Sequence, residues 1–270
     1  MINDKQGHVI YKYIPLKYLV SLLKSKKMRF NKVTSWEDPY ENFLQRQSFL
    51  NTAGEKINIE NMFATYYGQC WTLLNESDAM WRIYSVKTED LKKNDNIIDE
   101  TAIKIKIESS LLEREINKSI SDNDYWELCC KDVKYTDEDE IDNALNHLPL
   151  DDYRVQELFM KSLFVKRKAF DHEREFRIII QVPSICNVSK NPYISIPFNT
   201  SLISEFVLDP RLSKIQFERI RAKLLTFNIE KNRIKMSRLY APIRKHIITI
   251  DNCGIIKNNK KYLLRQNDNE

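Results

Sequence analysis

The sequence predicts an α+β fold: a single mixed domain with a central, mostly antiparallel, twisted sheet, flanking helices and a C-terminal βαβ-like unit. Three observations carry that expectation. Stretches such as "HVIYKYI", "TYYGQCWT", "AIKIKI" and "REFRIIIQV" are β-branched, aromatic or alternating, which is the pattern of strands whose side chains point to opposite faces in turn. Helical stretches with apolar residues at i, i+3, i+4 and i+7 lie among them without a regular strand–helix alternation, which favours α+β over a doubly wound sheet. With 270 residues, 42% hydrophobic and 11% aromatic, the chain has material for a substantial core. The expected layout is one domain over residues 1–256 and a polar, flexible tail over 257–270.

After the first strand, Pro15 can open a helix carrying Leu16, Leu19, Val20, Leu22 and Leu23 on one face. Met28 to Phe30 then reads as a return strand. In "DPYE", Asp38 as N-cap, Pro39 at N1 and Glu41 at N3 form a capping box that announces a helix. Thr65 to Thr72 is a strand, and Ser77 or Asp78 caps a helix with Met80, Trp81 and Tyr84 on one side. Ala102 to Ile107 alternates so that Lys104 and Lys106 oppose Ile103, Ile105 and Ile107, a half-buried strand. An amphipathic segment, Glu108 to Ile120, precedes a strand around Leu128 to Tyr135. A long helix is expected from Asp151 to about Lys168, then a strand from Arg174 to Val182 and a proline-punctuated edge, "NPYISIPF". Strand Ile203–Leu208, helix Ser213–Phe227 and strand Arg233–Leu239 complete a βαβ grammar.

Composition removes several function classes. Only four glycines are present, where average usage gives roughly nineteen, and neither G-x-G-x-x-G nor G-x-x-x-x-G-K-[ST] occurs. A bound nucleotide must therefore be held by side chains rather than by a glycine-rich loop. The five cysteines and four histidines lack metal-ligand spacing, so no metal is expected. No apolar run is long enough to span a membrane and no signal peptide is evident, so a cytoplasmic location is expected.

The net charge is +5, with basic residues gathered between Arg211 and Lys245. That segment offers a face for an anionic partner, or simply a solvated helix.

The candidate site is "AFDHEREFRIII", Ala169 to Ile180. On a strand, Glu173, Glu175 and Arg177 share one face, and two carboxylates about 7 Å apart raise one another's pKa unless a cation answers them. Arg177 answers one and leaves the other for chemistry: steadying a developing positive charge or gripping a hydroxyl. The plain alternative is a solvent-facing Glu/Arg ladder. Tyr11, Tyr13, Trp71, Trp81 and Tyr84 can floor a pocket for a flat heterocycle, or pack as core.

Taken together, "YKYIPLKYLVSLLKSKKMRF", "WEDPYENF", "CWT" with "AMWRIYS", "KAFDHEREFRIII" and "ISEFVLDPRL" resemble the ordered landmarks of a bacterial family known only as domain of unknown function 2971. More distantly, the chain is similar to ADP-ribosyltransferase-like toxins and defence enzymes, which bind NAD without a glycine-rich loop. That likeness implies NAD as substrate, Glu175 and Glu173 as catalytic residues, and Tyr11, Tyr13, Arg29, Trp81, Tyr84 and Arg177 as its binding residues, with Arg82 another candidate for the pyrophosphate. It further implies an NAD-consuming transferase or glycohydrolase acting on a protein or nucleic-acid target, as a toxin or phage-defence effector. Two other expectations stand beside it. One is a non-catalytic protein- or nucleic-acid-binding module using Arg219, Arg221, Lys223, Arg233, Lys235 and Arg238. The other is a metal-dependent nuclease drawing on Asp38, Glu41, Glu173 and Glu175.

Overall fold

A computed structural model describes residues 7–41, 43–50, 53–57, 65–87, 89–90, 95–123, 125–146, 152–184, 186–243, 249–251, 254–257 and 260–263. His147, His246, Cys253, Arg244 and Lys245 lie outside them. Strand β1 (Val9–Pro15) runs into helix α1 (Leu16–Ser25), and β2 (Lys27–Lys32) returns. Lys26 makes the reversal in the left-handed region, φ 50°, and donates its backbone N–H to the Leu22 carbonyl. The short strands β3 (Phe49–Leu50) and β4 (Lys56–Ile57) precede β5 (Thr65–Thr72) and helix α2 (Asp78–Tyr84).

Next come β6 (Ala102–Glu108), helix α3 (Ser109–Ile120), β7 (Glu127–Asp132), β8 (Lys134–Thr136), helices α4 (Glu138–Asn146) and α5 (Asp152–Ser162), and β9 (Val165–Arg167). A 3-10 turn, Lys168–Glu173, leads into β10 (Glu175–Val182), followed by β11 (Tyr193–Pro197), β12 (Glu205–Leu208), helix α6 (Lys214–Leu225) and β13 (Ile234–Met236).

Nine of these strands form one sheet that is antiparallel except for the β12–β13 pair. The fold is thus the expected α+β, and β12–α6–β13 is the expected βαβ unit. Ser213 accepts from the Gln216 backbone while Gln216 reaches back, a reciprocal cap that starts α6.

One face of the sheet is covered by α1, α3 and α6, whose Leu19, Leu23, Leu112, Ile116, Ile220 and Leu224 meet Ile10, Phe30, Ile105, Ile178 and Phe206 in the main core. The other face carries two separate smaller cores. Tyr66, Ile179, Phe159, Leu163 and Phe164 form one; Tyr13, Met80, Trp81, Ala102 and Val207 form the other, beneath α2.

The sheet is really two half-sheets. In one, β11, β2, β5, β10 and β7 pair in series; in the other, β1, β6, β12 and β13 do. A single residue pair, Tyr11 opposite Thr72, joins them, whereas β1 pairs with β6 along seven residues and β10 with β5 along eight.

Three expectations from the sequence need correction. "DPYE" does not start a helix: Asp38 accepts the Tyr40 backbone N–H within a turn, and Glu41 is buried. The long helix ends at Ser162, and Lys166 stands on β9. Lys104 is not on a solvated face but only 2% exposed, because α2 and its preceding loop cover that side.

Residues Met1–Leu239 form one unit, and Tyr240–Glu270 a second, in which β14 (Thr249–Asp251), β15 (Gly254–Lys257) and β16 (Lys260–Leu263) pair antiparallel. Strand β16 falls within the stretch expected to be a tail. No helix among the described residues is long and apolar enough to cross a membrane.

Candidate active site at the split in the sheet

Where β1 and β5 diverge, a cleft of about 380 Å³ opens, part of it open solvent. Its walls are Tyr11, Lys12 and Tyr13 from β1, Cys70, Trp71 and Thr72 from β5, Met80 and Tyr84 from α2, and Glu173 and Glu175. The sequence thus brings Tyr11, Tyr13, Tyr84, Glu173 and Glu175 to one place.

The two glutamates do not meet through the pleat. Glu173 ends the 3-10 turn, Arg174 takes a left-handed conformation with φ 44°, and the strand begins at Glu175. A non-glycine residue in that region carries roughly 1–3 kcal/mol of strain and persists only where its surroundings fix it. Here they do: the Thr72 hydroxyl donates to the Glu173 carbonyl (2.6 Å), the Leu73 N–H to the Arg174 carbonyl (2.8 Å), and the Tyr135 hydroxyl accepts from the Glu175 N–H (2.8 Å).

Beneath the cleft lies a buried ion cluster. Lys166 Nζ reaches Glu175 at 2.7 Å, Glu173 at 2.9 Å and Glu41 at 3.1 Å. The Arg177 guanidinium donates to Glu175 (2.6 Å), Glu41 (2.6 Å) and the Leu163 carbonyl (2.7 Å), and lies over the Trp36 ring at 4.6 Å. Gly68 makes that stacking possible, since a Cβ there would sit 2.6 Å from a Trp36 ring carbon.

The cluster holds two cations and three carboxylates, an excess of one negative charge that favours a proton on one of them. Burial raises Glu173 to about 7, helped by its hydrogen bond with Glu175 and opposed by Lys166. Burial also acts against the Glu175 anion, but Arg177, the Glu173 hydrogen bond and Lys166 outweigh it and lower its pKa to about 2. The neutral Glu173 can donate to Glu175 while its other oxygen accepts from Lys166. Burial alone would lower Lys166; Glu175 and Glu41 reverse that and raise it.

The tyrosines are kept neutral. Burial raises Tyr11, Tyr13 and Tyr84, with Glu173 adding to Tyr84, a residue 39% exposed that also lines the cleft. Burial likewise raises the Cys70 thiol to about 12, too high for a nucleophilic thiolate. Lys12 bridges the divergence, donating to the Cys70 carbonyl at 2.8 Å, and burial lowers its pKa.

Three expected binding residues do not line the cleft. Arg177 is fully buried under it with its donors engaged. Trp81 is fully buried, edge-on to Tyr13 at 4.7 Å and donating to Glu76. Arg29 is exposed on β2, hydrogen-bonded to Asn31 and stacked on Tyr193. Arg82 is exposed on α2 and pairs with Asp78. Sequence reasoning missed Lys12, Thr72, Lys166 and the role of Glu41; the one signal for Glu41 was its place in "WEDPYENF".

Two further arrangements support the α2 wall. Glu76 accepts from Trp81, Lys104 and Ser237, and Asp209 holds Arg211 so that its guanidinium caps the Trp81 carbonyl at 3.0 Å.

Part of the basic C-terminal segment is answered within the chain. Arg221 pairs with Glu218, Lys223 with Asp99 and Lys235 with Glu205, and Arg233 donates to the Ser201 and Ile203 carbonyls. Asp38 pairs with Arg167 instead of joining the glutamates.

No family model matches the chain, so the resemblance to family 2971 gains no support, and no curated protein matches it. Two solved structures align with it. Thermus sp. 2.9 DarT in complex with NAD+ is 10% identical over 86% of this chain and 96% of that one, with a TM-score of 0.36. Thermus sp. 2.9 DarT in complex with ADP-ribosylated ssDNA is 10% identical over 85% and 94%, with a TM-score of 0.34.

Proposed function

We propose that the cleft binds NAD and that the chain breaks the bond between nicotinamide and ribose, as an ADP-ribosyltransferase-like or NAD-glycohydrolase-like enzyme. One observation carries this: Glu175, ion-paired to Lys166 and Arg177, and Glu173, whose pKa burial raises to about 7, line the same tyrosine-walled cleft. As the bond breaks, its electron pair leaves with nicotinamide and positive charge grows on the ribose. A fixed anion stabilises that charge more than it stabilises the ground state. Glu173 donates to a ribose hydroxyl, or, once deprotonated, takes the proton of the water or acceptor hydroxyl that attacks the sugar. Tyr11 and Tyr84 offer faces to the flat rings, and Lys12 meets a phosphate. Glu41, Lys166 and Arg177 act as positioning residues that fix the charge and orientation of Glu175.

The acceptor, a protein or a nucleic acid, would approach from the open mouth beside Tyr84. Depletion of cytoplasmic NAD would make the chain a growth-arresting toxin or phage-defence effector.

Nicotinamide release from NAD, followed chromatographically, tests the chemistry. Wild-type protein is expected to release nicotinamide, and Glu175→Gln to lose release while circular dichroism shows it folded. Wild-type protein without release, or equal turnover in the variant, would remove Glu175 from the chemistry.

A further inference from the structure

Strand β7 (Glu127–Asp132) pairs with β10 along one side, and among the described residues no strand pairs with its other side. An open strand edge is a template for another strand, and native chains blunt it or use it. The sequence of this edge, "ELCCKD", is complementary to itself. In a two-fold antiparallel pair the axis passes through a residue opposed to its own copy. With Cys129 on the axis, Glu127 of each chain faces Lys131 of the other. Shifting the axis to Leu128 or Cys130 loses both charge pairs.

Side chains on one face alternate with those on the other, so Glu127, Cys129 and Lys131 share a face and meet their opposites directly. Glu127 and Lys131 are both exposed, and neither forms an ion pair with a described residue. Between α3 and the strand lies a broad groove lined by Glu113, Arg114 and Asn117 together with Cys130, Lys131 and Asp132. The same two-fold would bring a second α3 towards it, with acidic and basic residues on both.

The geometry points to a homodimer built by β7 pairing with β7 of a second copy, Cys129 opposite Cys129. The partner is a second copy because the same strand, reversed, supplies lysine to Glu127 and glutamate to Lys131 at once. The two sheets become one continuous sheet through the dimer.

Light scattering on the full chain tests this, with a mass twice 32.2 kDa expected. Lys131→Glu sets like charges opposite and is expected to elute at the mass of one chain. The double variant Glu127→Lys/Lys131→Glu restores opposite charges and is expected to recover the dimer, which separates lost pairing from lost folding. Directly opposed residues lie about 4.5–5.5 Å apart at Cα, within disulfide reach. Diamide, which takes up the two electrons and two protons of a pair of thiols, is therefore expected to crosslink the wild type and Cys130→Ser but not Cys129→Ser. A wild type that stays at the mass of one chain, a dimeric Lys131→Glu, or crosslinking that survives Cys129→Ser would overturn the assignment.

Discussion

Replacing Glu173 by glutamine should alter how stability depends on pH more than it alters stability itself. In the folded chain burial raises the Glu173 pKa to about 7, whereas the free side chain titrates near 4.5. Between those values the folded state binds more protons than the unfolded one, so this group's contribution is fully present below pH 4.5 and is lost as pH rises through 7. The shift corresponds to at most about 3 kcal/mol for a side chain 13% exposed. On a chain of this size that is roughly 6–12 °C in Tm. Glutamine mimics the protonated form: its amide N–H donates to Glu175 and its oxygen accepts from Lys166. Urea unfolding of both proteins at pH 5, 6, 7 and 8 should therefore show wild type losing stability relative to Glu173→Gln as pH rises, with the curves nearest at pH 5. Parallel curves across that range would refute the shared proton between the two glutamates.

Arg177→Leu leaves Glu41 and Glu175 without their main cation, and breaking such a buried pair costs about 3–5 kcal/mol; a Tm within roughly 1 °C of wild type would show that the cluster does not stabilise the fold. Lys12→Met removes the ammonium from the cleft wall and should raise KM for NAD by about ten- to a hundredfold with kcat little changed, since one charge-assisted contact is worth roughly 1.5–3 kcal/mol. An unchanged KM would place the phosphates elsewhere.

Much of the architecture was legible because it depends on local periodicity. Alternation located Ala102 to Ile107, the cap at Ser77 or Asp78 located α2, and the run of isoleucines located β10. What was hidden depends on contacts between distant parts of the chain. Lys104 reads as a solvated residue of an alternating strand, and only the packing of α2 over β6 makes it a buried partner of Glu76. Glu41 satisfies every local requirement of a capping box, yet Arg177, far along the chain, claims it.

The candidate site was half legible for the same reason. Acidic spacing pointed to Glu173 and Glu175, and aromatic content to Tyr11, Tyr13 and Tyr84. Arg177 carries the right charge to bind a phosphate, but its direction is set by the β10 pleat, which turns it under the cleft. Lys166 was concealed inside an expected helix, because a three-residue strand leaves almost no periodic trace.

The one-pair junction between Tyr11 and Thr72 has an evolutionary corollary. Each half-sheet keeps its own register, so an insertion or slippage in β6 or β12 need not propagate to the ladder that carries Glu175. The cleft wall built by β1 and the wall built by β5 and the Glu173–Glu175 turn can therefore diverge at separate rates among descendants of this sequence.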